Sequence, residues 1–161
     1  MADPILLTIR DSMITLMESM TIVGGYNYDW GNCGDDDLAK QELFPASDLE
    51  WLIEENLDPI DGTHAYAYAN QASFRLASWG QLPGEEAVPK RAAMSVLMKM
   101  LDDQKKLFGI NFTAMDTCQS VMYRRAEAII QPQGDRFIPK KLISHWLVLY
   151  DQDRVNPLIY G

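Results

Sequence analysis

The side chains able to do chemistry are few and scattered. The 161-residue chain holds two histidines, His64 and His145, and two cysteines, Cys33 and Cys118. Neither histidine belongs to an H-x-x-x-H pattern, and there is no C-x-x-C pair to hold a metal. A serine nucleophile would need a G-x-S-x-G elbow, which the chain lacks. Cys33 lies between Asn32 and Gly34 in an acidic stretch that disfavours its thiolate, although a pairing with His64 or His145 stays open. Asp35-Asp36-Asp37 invites a divalent cation. Read as a calcium loop from Asp29, however, the chain puts Gly31, Cys33 and Lys40 at the third, fifth and twelfth positions, where oxygen ligands are needed. There is neither a G-x-x-x-x-G-K-[ST] nor a G-x-G-x-x-G loop to cradle a phosphate. Asn111-Phe112-Thr113 matches a glycosylation sequon, which counts only in a secreted chain. The expectation is a protein that is not an enzyme, with no catalytic residue, cofactor or metal.

Composition sets the frame for these residues. With 47% hydrophobic and 23% charged residues the chain is in the globular range, and its length suits one domain spanning 1–161. A net charge of −9 argues against affinity for nucleic acid built on phosphate neutralisation. Two cysteines make no disulfide framework, and no apolar run approaches the roughly 18 residues of a membrane span. The start, MADPILLTIRDSM, has no basic n-region, so no secretion signal is expected. These features suggest a soluble intracellular or particle-bound protein.

The charge is unevenly spread. Between Asp35 and Asp61 ten acids face one base, Lys40, so this segment alone carries the whole net charge of −9. A later stretch is basic, with Arg124, Arg125, Arg136, Lys140 and Lys141. Either both are solvated surfaces, or they meet, within one chain or across a contact between copies, where complementary charge sets register. The candidate interface residues are Glu54 and Glu55 on the acidic side, Arg136, Lys140 and Lys141 on the basic side, and the aromatic residues Tyr26 and Trp30. Tyr28 and Trp51 belong to the same aromatic set, for which core packing is the other outcome.

Periodicity supplies the elements that must position these groups. Asp3-Pro4 suits a helix start, and Leu6, Ile9, Met13, Leu16, Met17 and Met20 recur at spacings of three and four, predicting an amphipathic helix over about 4–20. Tyr26–Trp30 reads as a short strand or extended segment, followed by a loop that runs towards Pro45. Residues 49–56 and 63–80 alternate as strands, the latter with Tyr66, Tyr68, Ala72, Phe74 and Leu76 on one face. A second helix follows Pro89. Ala93, Val96, Leu97, Met100, Leu101 and Phe108 lie on one side of it, an Asp102–Lys106 pair is expected, and Gly109 stands at the expected stop. Residues 118–130 and 141–153 read as strands joined by a long connection over 132–139, with Val121, Tyr123 and Ile129 on one face of the first. The apolar end of the tail, Leu158-Ile159-Tyr160, either packs on its own domain or docks on a neighbour. The order α-β-β-β-α-β-β predicts an α+β fold: a mainly antiparallel sheet of about five strands with two helices on one face.

One segment is similar to a known family. After the first helix, Gly25, Tyr26, Asn27, Asp29 and Gly31 form a Gly-Tyr-Asn-x-Asp-x-Gly pattern. It resembles the start of tailed-bacteriophage tail-terminator (tail completion, minor tail) proteins and related neck proteins. The family then has a strand after a Phe-Pro, here Phe44-Pro45, a long strand, a second helix and two strands joined by a long hairpin; the likeness covers nearly the whole chain. It implies a structural virion protein in the phage tail or neck, made in the host cytoplasm. Such a protein forms a ring, usually of six copies, on the last ring of the major tail tube protein. It ends tube growth and meets the neck or head-completion proteins, while DNA only passes through the lumen and no membrane is involved. Another neck, adaptor or head-closure protein is the nearest alternative. From a different class, so is a small ligand-binding or enzymatic α+β domain using its Tyr- and Trp-rich sheet face.

Overall fold

The computed structural model describes residues 5–30, 32–34, 46–52, 67–80, 86–111 and 120–153. Helix α1 (Ile5–Glu18) is followed by strands β1 (Asn32–Gly34), β2 (Ala46–Leu52) and β3 (Ala67–Trp79), then helix α2 (Lys90–Asn111) and strands β4 (Ser120–Gln133) and β5 (Arg136–Asp153). The class is α+β, as the alternation of patterns predicts. Long strands β3, β5 and β4 lie side by side and antiparallel, with β5 in the middle. Strand β2 adds antiparallel to β3, and the three residues of β1 pair parallel to β2.

The inner face of the sheet comes from strict alternation. Ala72, Phe74 and Leu76 on β3 are buried together with Leu142, Trp146, Val148 and Tyr150 on β5. Their sequence neighbours Ser73, Arg75, Ile143, His145, Leu147 and Leu149 are half-buried on the outer face. Both helices share the core on the inner face. Helix α1 contributes Ile9, Met13 and Met17, Met20 follows just past its end, and α2 contributes Leu97, Met100, Leu107 and Phe108. Phe108 meets Trp146 edge to face, with ring centroids 4.8 Å apart. The methionine stripe is thus core filling.

Several expectations are corrected by local chemistry. Helix α2 passes through Gly109 to Asn111, so Gly109 is no helix stop. Lys106 turns away from Asp102 and donates to the carbonyl of Gly25. The supposed connection over 132–139 is mostly strand, because β4 and β5 close through a two-residue turn, Gly134-Asp135. Gly134 has φ +66° and Asp135 does not have positive φ, the signature of a type II′ turn, which matches the twist of the flanking strands. Ile129 does not share a face with Val121 and Tyr123. A bulge between Tyr123 and Arg125 shifts the phase by one residue. Ala126 and Ile130 then pack against the core, and Ile129 is exposed. β2 starts directly after Phe44-Pro45, three residues earlier than the alternation suggests.

Candidate functional site

The most organised chemistry in the chain surrounds one carboxylate. Asp103 is on α2, seven residues after Val96 and three after Met100, which puts it on the buried stripe. Its Oδ1 accepts from the Asn27 backbone N–H at 2.8 Å and from Asn27 Nδ2 at 2.9 Å. Its Oδ2 accepts from the Tyr28 N–H at 3.2 Å and from the indole Nε1 of Trp30 at 2.9 Å. An ionised acceptor facing several N–H donors makes charge-assisted bonds, each stronger than a neutral one. This is why Tyr26–Trp30 is an irregular loop instead of a strand: two of its amides go to a helix side chain and not to a ladder.

The rest of the loop is pinned with the same thoroughness. Asp29 Oδ1 accepts from the Ile22 N–H at 2.8 Å, and Thr21 Oγ1 from the Gly24 N–H at 3.0 Å. Gly25 N–H donates to Ile22 O, Tyr26 N–H to Thr21 O, and Trp30 N–H to Met20 O. Gly25 has φ +94°, a conformation that a side chain would strain. Asn27 also donates to Lys99 O, and Lys106 Nζ lies 4.9 Å from the Tyr26 ring centroid. Gly25, Asn27 and Asp29 therefore each hold shape. Burial, and next the Asp103 charge, push the Tyr28 phenol above its ordinary value.

A second buried polar chain starts at the next helix residue. Trp146 Nε1 donates to Ser144 Oγ at 2.8 Å, Ser144 Oγ donates to Gln104 Oε1 at 2.7 Å, and Gln104 Nε2 donates to Ser78 Oγ at 2.9 Å. All four residues are buried. The network joins α2 to β3 and β5 and fixes their relative register. Ser144 hands its proton to an amide oxygen, which is no general base.

The expected interface residues are in different surroundings. Trp30 is fully buried in the protein's own core, so its ring offers no area to a partner; it serves as an anchor for the loop. Tyr26 is half-buried beside Lys106. Arg136 and Lys140 are exposed near the end of the hairpin, with Arg136 Nη1 3.5 Å from Ala87 O. Lys141 is half-buried, its ammonium 5.0 Å from the Trp79 ring centroid. Glu54 and Glu55 lie outside the described residues, as do His64, Cys118, Asp35-Asp36-Asp37 and the Leu158–Tyr160 tail. Cys33 is in β1. Among the described residues no cluster of three or more His, Cys, Asp or Glu is poised for a metal, and no helix is long and apolar enough to cross a membrane.

On the outer face the strand register sets Arg75, His145 and Arg125 side by side across β3, β5 and β4. Burial, followed by the charge of Arg125 and then Arg75, holds His145 below its ordinary value, against the opposing pull of Glu127. Sequence reasoning missed Asp103 and Gln104 as structural hubs. The signal was there: both interrupt an otherwise apolar helical stripe, and a polar residue on a buried stripe must find a partner. No protein-family model matches the chain, and no curated protein matches it.

Proposed function

We propose that this chain is a structural virion protein. In this reading it forms a ring at the head-proximal end of a phage tail, ends tube growth and joins the tail to the neck. The observation that carries the reading is the use made of the Gly25-Tyr26-Asn27-x-Asp29 pattern. Asn27 holds the loop against α2 and Asp29 closes the loop on the Ile22 amide, as a geometric part requires. The five-stranded, α-β-β-β-α-β-β arrangement and the long closing hairpin support it further. Ring closure requires a heterologous contact, one patch meeting a different patch on the next copy. The basic residues Arg136, Lys140 and Lys141 of one copy meet the acidic 35–61 segment, including Glu54 and Glu55, of its neighbour. The acidic balance of the chain keeps passing DNA from sticking to the lumen.

The test is to mix the purified chain with tail tubes and view the tube ends by electron microscopy. A ring capping one end, and tubes that stop growing, is the expected result. A chain that never binds tube ends and is absent from particles overturns the reading. For the contact, reversing Arg136, Lys140 and Lys141 to Glu dissociates the ring, and Glu54→Lys with Glu55→Lys partly restores it. Assembly unchanged at both low and high salt contradicts that contact.

A further inference from the structure

The closing hairpin carries a second irregularity, this one on β5. Ile129 pairs with Lys141 and Ile130 with Pro139, so Lys140 is an extra residue in its strand, with no partner position on β4. Burial shows the same step. Leu142 and Pro139 are both buried although they are three residues apart, where alternation requires an even spacing. Lys140 itself is exposed. The bulge is seated on Gly80, whose N–H donates to Lys140 O at 3.2 Å. A Cβ at Gly80 would stand 2.5 Å from Pro139 O, so a glycine is what lets the end of β3 lie this close to the bulge.

The place of the bulge gives it a use. On one side of it β5 runs between β4 and β3, as far as the Trp79–Lys141 pair. On the other side β3 has ended, and the hairpin goes on as an arm of two strands, residues 130–133 with 136–139. Among the described residues the arm is braced by Val88, which bonds to Phe137 in both directions at 2.8 and 2.7 Å, and by the Lys90 ammonium 5.8 Å from the Phe137 ring centroid. A bulge bends its strand and adds local twist, and this one sits at the joint between body and arm. Without Lys140 the buried Leu142 and Pro139 would be two residues apart, and every other pair of the ladder would keep its partner. The extra residue is therefore not needed to bury the apolar face; it changes the direction of the arm. Resting on the ring reading, we propose that Lys140, through its bulge, and Gly80 beneath it are positioning residues. They aim the arm so that Arg136, beside its tip, meets the acidic 35–61 segment of the next copy.

The experiment compares two variants of the full chain. Lys140→Ala removes the ammonium and keeps the bulge; deletion of Lys140 removes both. Circular dichroism and thermal melting report the fold, and light scattering, alone and with tail tubes, reports association. Both variants keep the parent's spectrum and melt cooperatively. Lys140→Ala weakens association by no more than about fivefold, the range of one exposed charge. The deletion weakens it about tenfold further, because the arm no longer points at the neighbour. A deletion variant that associates as well as Lys140→Ala, while the hairpin reversal dissociates the ring, overturns this inference and leaves the ring reading standing. A deletion that unfolds the chain also overturns it, since the bulge is then a requirement of the fold. A parent chain that remains monomeric under all conditions overturns both.

Discussion

The two ends of the same helix-and-hairpin assembly use polar residues in opposite ways. Asp103 and Gln104 are buried, and each is hydrogen-bonded to groups of other parts of the same chain. At the β4–β5 hairpin end, Arg136 and Lys140 stand in water with at most a long contact to Ala87. The inner networks fix shape, and the outer charges face solvent. The proposed ring part would need both, a frame that does not yield and a surface that selects.

Removing the Asp103 carboxylate should break the comparison most sharply. Asp103→Ala leaves the Trp30 indole N–H and the Asn27 amide without their acceptor, a cost of about 3 kcal/mol or more, read as a lower urea midpoint. Gly80→Ala comes next. An added Cβ would stand 2.5 Å from Pro139 O and 2.7 Å from a Leu97 methyl, so the end of β3 must move away from β5 and α2, costing about 1–3 kcal/mol. Gln104→Ala opens the chain from Ser78 to Trp146 and costs about 1–3 kcal/mol. His145 sharpens the contrast through pH. Its folded value lies below the unfolded one, so the unfolded chain binds the proton first. Stability is therefore full above the unfolded value near 6.5 and falls as pH drops towards the folded value; His145→Gln flattens that part of the melting-temperature profile. The smallest effect belongs to the hairpin end, where Arg136→Ala changes stability by less than about 0.5 kcal/mol.

The sequence shows most clearly what periodicity encodes. The buried faces of β3 and α2 follow from Ala72, Phe74 and Leu76 and from Ala93, Leu97, Met100 and Phe108, since burial imposes the repeat. A bulge has no such repeat: nothing in Tyr123-Arg124-Arg125 marks the extra residue that turns Ile129 outward. The Tyr26–Trp30 loop was equally hidden, because the Asn27 and Tyr28 amides and the Trp30 indole are satisfied by an acid 73 to 76 residues away. Strand β4 at the edge of the sheet shows the same economy. Its bulge at Arg124, the exposed Arg124 and Arg125, and Pro132 discourage further strand pairing.

The central claim is that this chain works by docking onto copies of itself and onto a tail. Its most direct test is the mass, by light scattering, of the full chain added to purified tail tubes and then released from them. The account predicts one closed species of six copies that is lost in the Arg136→Glu, Lys140→Glu, Lys141→Glu variant. A compact monomer that neither binds tubes nor changes with that variant would contradict it.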